Sequence, residues 1–391
     1  MTPGDGKPML SGIKVVDLTS VVFGPYCTQT LADLGAEVIK VESPPGGDVF
    51  RQGGKPAVTR GMGPGFLAIN RGKQSVLLDL KQAGDAAIMR ALLAEADVFV
   101  LNVRGKAAER LGLDYATVRQ IRPDIIYLHC VGFGQDGPYA DLPAYDDVIQ
   151  AASGATSLAS RVDGNPAARY IPSLIADKVS GLHGAYAVMA ALIHRMRTGE
   201  GQLVEVPMFE AFTNFMLLEH LGGLTFDPPN APACYSRQID PYRQPFRTSD
   251  GYISIAAYTD RDWAPLFVVL GNPGFLDAPL FATARDRFHN IALLYAEVAR
   301  LTPGFTTADL VAKCAAANLP AQPARDIQDI MTDPHLQATG FFRKRTHPSE
   351  GDYYEMRSPV RFGAVPEGKV AMPPQLDEQG DAIRQRYEGS F

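Results

Sequence analysis

The first half of the chain alternates short apolar runs with segments of helical period. Residues 13–18 (Ile-Lys-Val-Val-Asp-Leu) read as a strand, Gly24-Pro25 opens an apolar-periodic helix to about Leu34, and residues 36–42 read as a second strand. That interval suits one right-handed βαβ unit. A loop rich in proline, glycine and arginine runs from Ser43 to about Asn70. The alternation then resumes with strands at 75–80, 97–101 and 125–131 and helices at 83–96 and 115–121. Repeated βα units with apolar strands predict an α/β domain, a parallel sheet covered on both faces.

Residues 177–197 read as one long helix, stopped by Thr198-Gly199-Glu200-Gly201. Its small residues Gly181, Gly184, Ala185, Ala187, Ala190 and Ala191 would let another backbone approach closely. The texture changes from about Phe226. Asp227-Pro-Pro-Asn-Ala-Pro232 is a linker signal, and Asp250-Gly251 leads into an alternating strand at 252–256. Helical patterns at 261–270, 290–301 and 307–317 complete a smaller α+β region. The expected organisation is a Rossmann-like large domain over 1–205, a linker over 206–234, the small domain over 235–330 and a second linker over 331–374. A helix within 375–391 then returns to the large domain or wraps around a partner subunit.

Composition narrows the function classes. At 391 residues the chain has room for two or three domains of about 150 residues. With 46 % hydrophobic and 20 % charged residues it has the profile of an ordinary globular protein. A net charge of −6 gives no electrostatic case for nucleic acid or an anionic membrane. The longest clean apolar run, 185–193, falls short of the roughly 18–20 residues a membrane span needs. Cys27, Cys130, Cys234 and Cys314 form no CxxC pair, which excludes a zinc knuckle and a disulfide framework and suits a reducing cytoplasm. Met1 to Leu18 lacks the apolar stretch of a signal peptide, so the expected location is cytoplasmic.

The turn after the first strand, Thr19-Ser-Val-Val-Phe-Gly24-Pro25, holds one glycine and no dinucleotide fingerprint. There is no Walker loop, no GxSxG elbow and no HExxH, and the seven histidines show no metal-ligand spacing. Asp177 is the carboxylate of most interest. It follows an apolar segment and stands at the start of the long helix. One reading is a helix N-cap, for which aspartate is among the best residues. The other is a nucleophilic carboxylate at a helix N-terminus. The residues alone leave both open.

Leu10-Ser-Gly-Ile-Lys-Val-Val-Asp-Leu18, Leu34-Gly-Ala-Glu-Val-Ile-Lys-Val-Glu42 and Asn70-Arg-Gly-Lys-Gln-Ser75 resemble the family III CoA-transferases, the CaiB/BaiF family. So do Gly132-Phe-Gly-Gln-Asp-Gly-Pro-Tyr139, Thr198-Gly-Glu-Gly-Gln202, Trp263 and Asp333-Pro334, so the resemblance runs along essentially the whole chain. It implies CoA transfer from an acyl-CoA to a carboxylic acid, with Asp177 of a D-x-x-x-G pattern (Gly181) as nucleophile. Aspartyl anhydride and aspartyl-CoA thioester intermediates are implied with it. It also implies an interlocked homodimer, no permanently bound cofactor or metal, and CoA as substrate and product. By similarity to formyl-CoA transferase, CoA contacts fall at Val22, Phe23, Leu78, Asp79, Leu80, Lys81, Asn102, Val103, Arg104, Arg110, Cys130, Val131, Gly132 and Phe133.

This chain departs from that relative in three places. Val22 stands where it has glutamine and Ser43 where it has arginine, and residues 224–250 contain no glycine to build its glycine-rich lid. The α-methylacyl-CoA racemase branch shares the resemblance, but its histidine is matched here by tyrosine in Ala144-Tyr145-Asp146-Asp147. Tyrosine is ordinarily a poor base at neutral pH, which favours transfer over racemisation. A non-catalytic acyl-CoA-binding protein is the third alternative, and a pure binder has no need of Asp177.

Overall fold

A computed structural model describes residues 7–363, 365 and 370–387. The chain divides into two compact units. One is built from the chain up to Ala155, Tyr170–Met216 and the chain from Gly340; the other from Thr156–Arg169 and Leu217–Thr339.

The first unit is an α/β fold around six parallel strands: β1 (Lys14–Leu18), β2 (Glu37–Glu42), β3 (Lys73–Leu77), β4 (Val98–Leu101), β5 (Ile126–Val131) and β6 (Gln202–Pro207). Their order is β3-β2-β1-β4-β5-β6. The order reverses between β1 and β4, and open α/β sheets bind ligands outside the carboxyl ends of the strands at such a point. Alternate residues of each strand feed two cores, as the period of two requires. Val98, Val100, Ile126 and Leu128 join Phe23, Leu31, Ala185 and Val188 on one face. Phe99, Leu101 and Tyr127 join Val76, Leu92 and Ile383 on the other. The C-terminal helix Gly380–Tyr387 supplies Ile383, and the side-chain oxygen of Gln379 accepts the Ser75 N–H of β3 at 2.8 Å.

The long helix spans Ile175–Thr198 and ends at Gly199, whose φ of +77° is the left-handed conformation glycine adopts freely. Its small residues meet the first helix, Phe23–Asp33. A Cβ at Gly181 would lie 2.8 Å from the Phe23 carbonyl oxygen, and one at Gly184 would lie 3.1 Å from Cys27 Sγ. The glycine of D-x-x-x-G therefore seats the first helix against the long one, one turn below Asp177.

Three features differ from the sequence expectation. Residues 202–207, unassigned from sequence, form the edge strand β6, and the segment read as the 206–234 linker begins with a helix, Met208–His220. The segment read as the 331–374 linker contains an antiparallel hairpin, Phe342–His347 with Gly351–Met356. Its Phe-Arg-Lys-Arg-Thr-His strand lacks apolar alternation, and its tip is anchored by polar bonds. Glu350 accepts the backbone N–H of Val58 at 2.9 Å, and His347 Nε2 meets the Pro373 carbonyl at 2.8 Å.

The second unit has its own core, Ile253, Trp263, Phe267, Leu294 and Leu310, between a three-stranded antiparallel sheet and helices Asp260–Val269, Ile291–Leu301 and Thr307–Ala316. Segment 156–169 joins this unit, although nothing in its sequence separates it from the first.

The helix contact at Gly181 is testable. The neighbour is backbone, so Gly181→Ala must push the first helix away, at a cost of about 1–3 kcal/mol. Urea unfolding should show a lower midpoint with an unchanged slope; a wild-type midpoint would show that the two helices do not approach as described.

Candidate active site

A cavity of about 660 Å³ opens in the first unit at the carboxyl ends of β1, β4 and β5. Its wall includes Ser20, Val21 and Phe23 after β1, Asn102 to Ala107 after β4, and His129 to Gly132 of β5 and the turn beyond. Asp177 and Met208 complete it with residues 140–145.

The turn after β1 is held by buried charge. Asp17 accepts Thr19 N–H at 3.0 Å, Thr28 Oγ1 at 2.6 Å and Lys73 Nζ at 3.1 Å. Lys40 Nζ donates to the Thr19 carbonyl at 2.7 Å and pairs with Asp48 at 2.9 Å. Asp48 Oδ1 accepts Val21 N–H at 2.9 Å. Glu42 and Arg51 form a further pair at 2.6 Å, and none of these side chains reaches solvent appreciably. The charges neutralise one another, which a set of ions taken out of water requires. The Lys73 ammonium, desolvated and beside Lys40, is lowered to about 8, and Asp17, facing both lysines, is held at about 2 against its burial. The cluster fixes Val21 at φ +72°, a conformation that costs a β-branched residue on the order of 1–3 kcal/mol. Strain of this kind persists only where the surroundings impose it. Here it directs the chain into the first helix so that the Phe23 backbone faces Asp177.

Asp177 does not cap the long helix, which corrects one of its two sequence readings. Leu174 holds the cap position without a side-chain bond, and Asp177 is the third helical residue. Its own N–H donates to Asp146 Oδ2 at 3.0 Å. Its carboxylate is 6 % exposed and is hydrogen-bonded to the Phe23 backbone, at the N-terminus of the first helix. Burial pushes the Asp177 carboxyl up to about 7, the Asp146 charge adds to the rise, and the Phe23 hydrogen bond opposes it. A group so tuned is a basic carboxylate at neutral pH. Cys130, also in the wall, has its thiol held well above the ordinary range by burial, so it stays protonated.

The cavity gathers Phe23, Asn102, Val103, Arg104, Arg110, Cys130, Val131 and Gly132 with Asp177. Asn102 is committed to the turn: its amide donates to the Ser20 carbonyl at 2.9 Å and accepts Ser20 N–H at 3.2 Å. Arg104 and Arg110 are exposed on a short helical turn. Val22 and Phe133 are buried outside the wall. Leu78, Asp79, Leu80 and Lys81 also lie outside it, directly after β3 along the same edge of the sheet. Of the basic residues that sequence left unassigned, Lys73 belongs to the buried cluster, Arg71 pairs with Asp33, and Lys106 pairs with Asp141 at 2.8 Å. Sequence reasoning missed Asp146 as a partner of Asp177. The available signal was the adjacent pair Asp146-Asp147, met in the sequence only as the stretch compared with the racemase branch, and the structure places it at the start of a helix.

The comparisons agree with this architecture. Residues 10–380 match the profile of CoA-transferase family III. The chain is 34 % identical to the succinate–glutarate CoA-transferase of Agrobacterium fabrum, over 95 % of this chain and 94 % of that protein. It is 30 % identical to the formyl-CoA:oxalate CoA-transferase of Escherichia coli O157:H7, over 96 % and 95 % respectively. The crystal structure of a CAIB/BAIF family protein from Brucella suis superposes with a TM-score of 0.82 at 32 % identity, covering 97 % of this chain and all (100 %) of that one. The protein belongs to the family III CoA-transferases, enzymes that use CoA thioesters. Among the described residues no helix is long and apolar enough to cross a membrane, and no group of three or more His, Cys, Asp or Glu could hold a metal ion.

The raised Asp177 pKa has a stability consequence. The folded state holds this proton more tightly than the unfolded chain, whose carboxyl titrates near 4. The contribution is therefore full below about pH 4 and is lost as pH rises through about 7. Asp177→Asn should unfold at higher urea than wild type at pH 8, by about 1–4 kcal/mol, and the gap should close near pH 4. Equal midpoints at pH 8 would contradict a buried, repelled carboxylate.

Proposed function

We propose that the enzyme moves CoA from an acyl-CoA donor to a carboxylic acid acceptor, with Asp177 as the covalent carrier. The observation that supports this most is a basic, water-shielded carboxylate in the wall of a cavity at the switch point of the sheet. An Asp177 oxygen attacks the thioester carbonyl, the C–S bond breaks and CoA leaves as thiolate, giving a mixed anhydride. The thiolate attacks the aspartyl carbonyl and displaces the donor acid, leaving an aspartyl-CoA thioester. The acceptor carboxylate attacks that thioester, the thiolate leaves again, and its attack on the acceptor's carbonyl forms the new acyl-CoA and restores Asp177. The Phe23 amide is placed to stabilise negative charge on the aspartyl carbonyl oxygen.

Arg104 and Arg110 suit the CoA phosphates, and Lys81 lies farther along the same edge. The small dicarboxylates in the relatives' names, glutarate and oxalate, indicate which acceptor class to assay first. Tyr145, exposed in the cavity wall, offers no evident base opposite Asp177, so transfer remains favoured over racemisation. We also take the enzyme to be a homodimer. The row Leu182, Tyr186, Ile193 and Met196 on the long helix is exposed and apolar, as a subunit contact would require.

The direct assay is a matrix of acyl-CoA donors against dicarboxylic acids, read by mass spectrometry. Asp177→Ala and Asp177→Asn should bind CoA yet transfer none; substantial transfer by either would refute the carrier role. Arg104→Ala or Arg110→Ala should raise KM for acyl-CoA about tenfold and leave the acceptor KM unchanged. An unaltered CoA KM in both would place the phosphates elsewhere.

A further inference from the structure

We infer that Asp146 is a positioning residue of the transfer reaction: its carboxylate takes over the backbone bond at the head of the long helix and leaves the Asp177 carboxylate free to react. The inference rests on Asp177 being the nucleophile. Asp146 opens the helix Asp146–Ala152 and is 3 % exposed. Oδ2 accepts the N–H of Asp177, and Oδ1 accepts from Gln150 Nε2 at 2.6 Å. Gln150 is wholly buried. Its oxygen accepts Ile171 N–H at 2.8 Å, and its amide donates to the Ser173 carbonyl at 3.0 Å. The Asp146–Gln150 pair therefore grips the segment entering the long helix at both ends, and the last grip is the nucleophile's own peptide group.

The amides of a helix's first turn have no partner within the helix, and an aspartate in that turn is the natural acceptor for them. An Asp177 carboxylate used in that way would be stabilised as an anion and would be a poorer nucleophile. The Leu174 cap offers no side-chain acceptor, and Asp146 supplies one from a different helix. Its negative charge also offsets the helix dipole and repels the Asp177 anion. When an Asp177 oxygen bonds to the thioester carbonyl and thiolate departs, the aspartyl group becomes neutral and that repulsion ends. Asp146 thus raises the resting carboxylate relative to both covalent intermediates, a ground-state effect tied to a specific contact.

Other ionisable groups surround the site. The first helix presents Tyr26 and Cys27, β5 presents His129 and Cys130, and the cavity wall adds Arg104, Arg110, Lys106, Asp141 and Tyr145. On the long helix Lys178 bonds Ser173 Oγ and His183 bonds the Val179 carbonyl, while Glu205 of β6 accepts from Gln135. Asp146 is the charge that acts on Asp177.

The test is the pH profile of kcat/KM for transfer in Asp146→Asn, beside wild type and Asp177→Ala. The variant should bind CoA normally, lose roughly tenfold or more in kcat, and show its acid limb at least about one pH unit lower, because the repelling charge is gone. A residue that merely supported the fold would change the rate without moving the limb. A folded Asp146→Asn with wild-type kcat and limb overturns the inference, and leaves the carrier role intact provided Asp177→Ala is inactive. Transfer by Asp177→Ala overturns the carrier role itself. A carboxyl 13C titration of the wild-type enzyme, with the Asp177 signal assigned by its loss in Asp177→Asn, decides the matter if Asp146→Asn fails to fold. The same titration in Asp146→Ser, whose hydroxyl can still accept the Asp177 N–H, supplies the comparison: an Asp177 midpoint below the wild-type one supports the inference, and an unchanged midpoint overturns it.

Discussion

A carboxylate withdrawn from water and placed between two helix N-termini is the constraint on which this site depends. The Asp177 side chain receives a hydrogen bond from Phe23, at the start of the first helix, while its backbone N–H is taken by Asp146. The first contact steadies negative charge and the second arrangement denies it. The balance leaves an anion that is orderly yet basic. Neither contact is local: one needs the turn after β1 and the other needs the helix that begins at Asp146. The close seating of the first helix on Gly181 and Gly184 makes the first contact possible.

The turn after β1 carries its own strain, and the buried ionic cluster beneath it supplies the hold. Asp17, Lys40, Asp48 and Lys73 come from adjacent strands and the loop after β2, and they converge on the backbone of Thr19 and Val21. An apolar core of similar volume could stabilise the sheet as well. It could not hold Val21 in the left-handed region, because that requires acceptors and donors at fixed points. The cluster is therefore better understood as a positioning device for the site than as a source of stability.

Much of the first unit was legible in the sequence. Strands β1, β2, β4 and β5 and the long helix follow from apolar period and glycine punctuation, because their side chains fill cores on both faces of the sheet. The β6 edge and the charged hairpin were not legible, since their order comes from backbone pairing and polar anchors. Asp177 itself stood out by type and place. Its role as a cap did not survive, because the Asp146 carboxylate arrives from about thirty residues away, a separation no local capping rule covers. Likewise the family resemblance pointed to Gly181, but only the 2.8 Å approach to the Phe23 carbonyl gives the physical reason for a glycine there. The backbone bonds of Ile171 and Ser173 carried no visible signal, because their partner, Gln150, stands about twenty residues upstream, beyond any local pattern.

The central claim is that CoA passes through the Asp177 side chain. Rapid quenching of the enzyme during turnover with acyl-CoA, treatment with hydroxylamine and peptide mass spectrometry measures this directly. The account predicts a hydroxamate on Asp177, formed only when a productive acyl-CoA is present. An adduct confined to another residue, or turnover with Asp177 unmodified throughout, would contradict it.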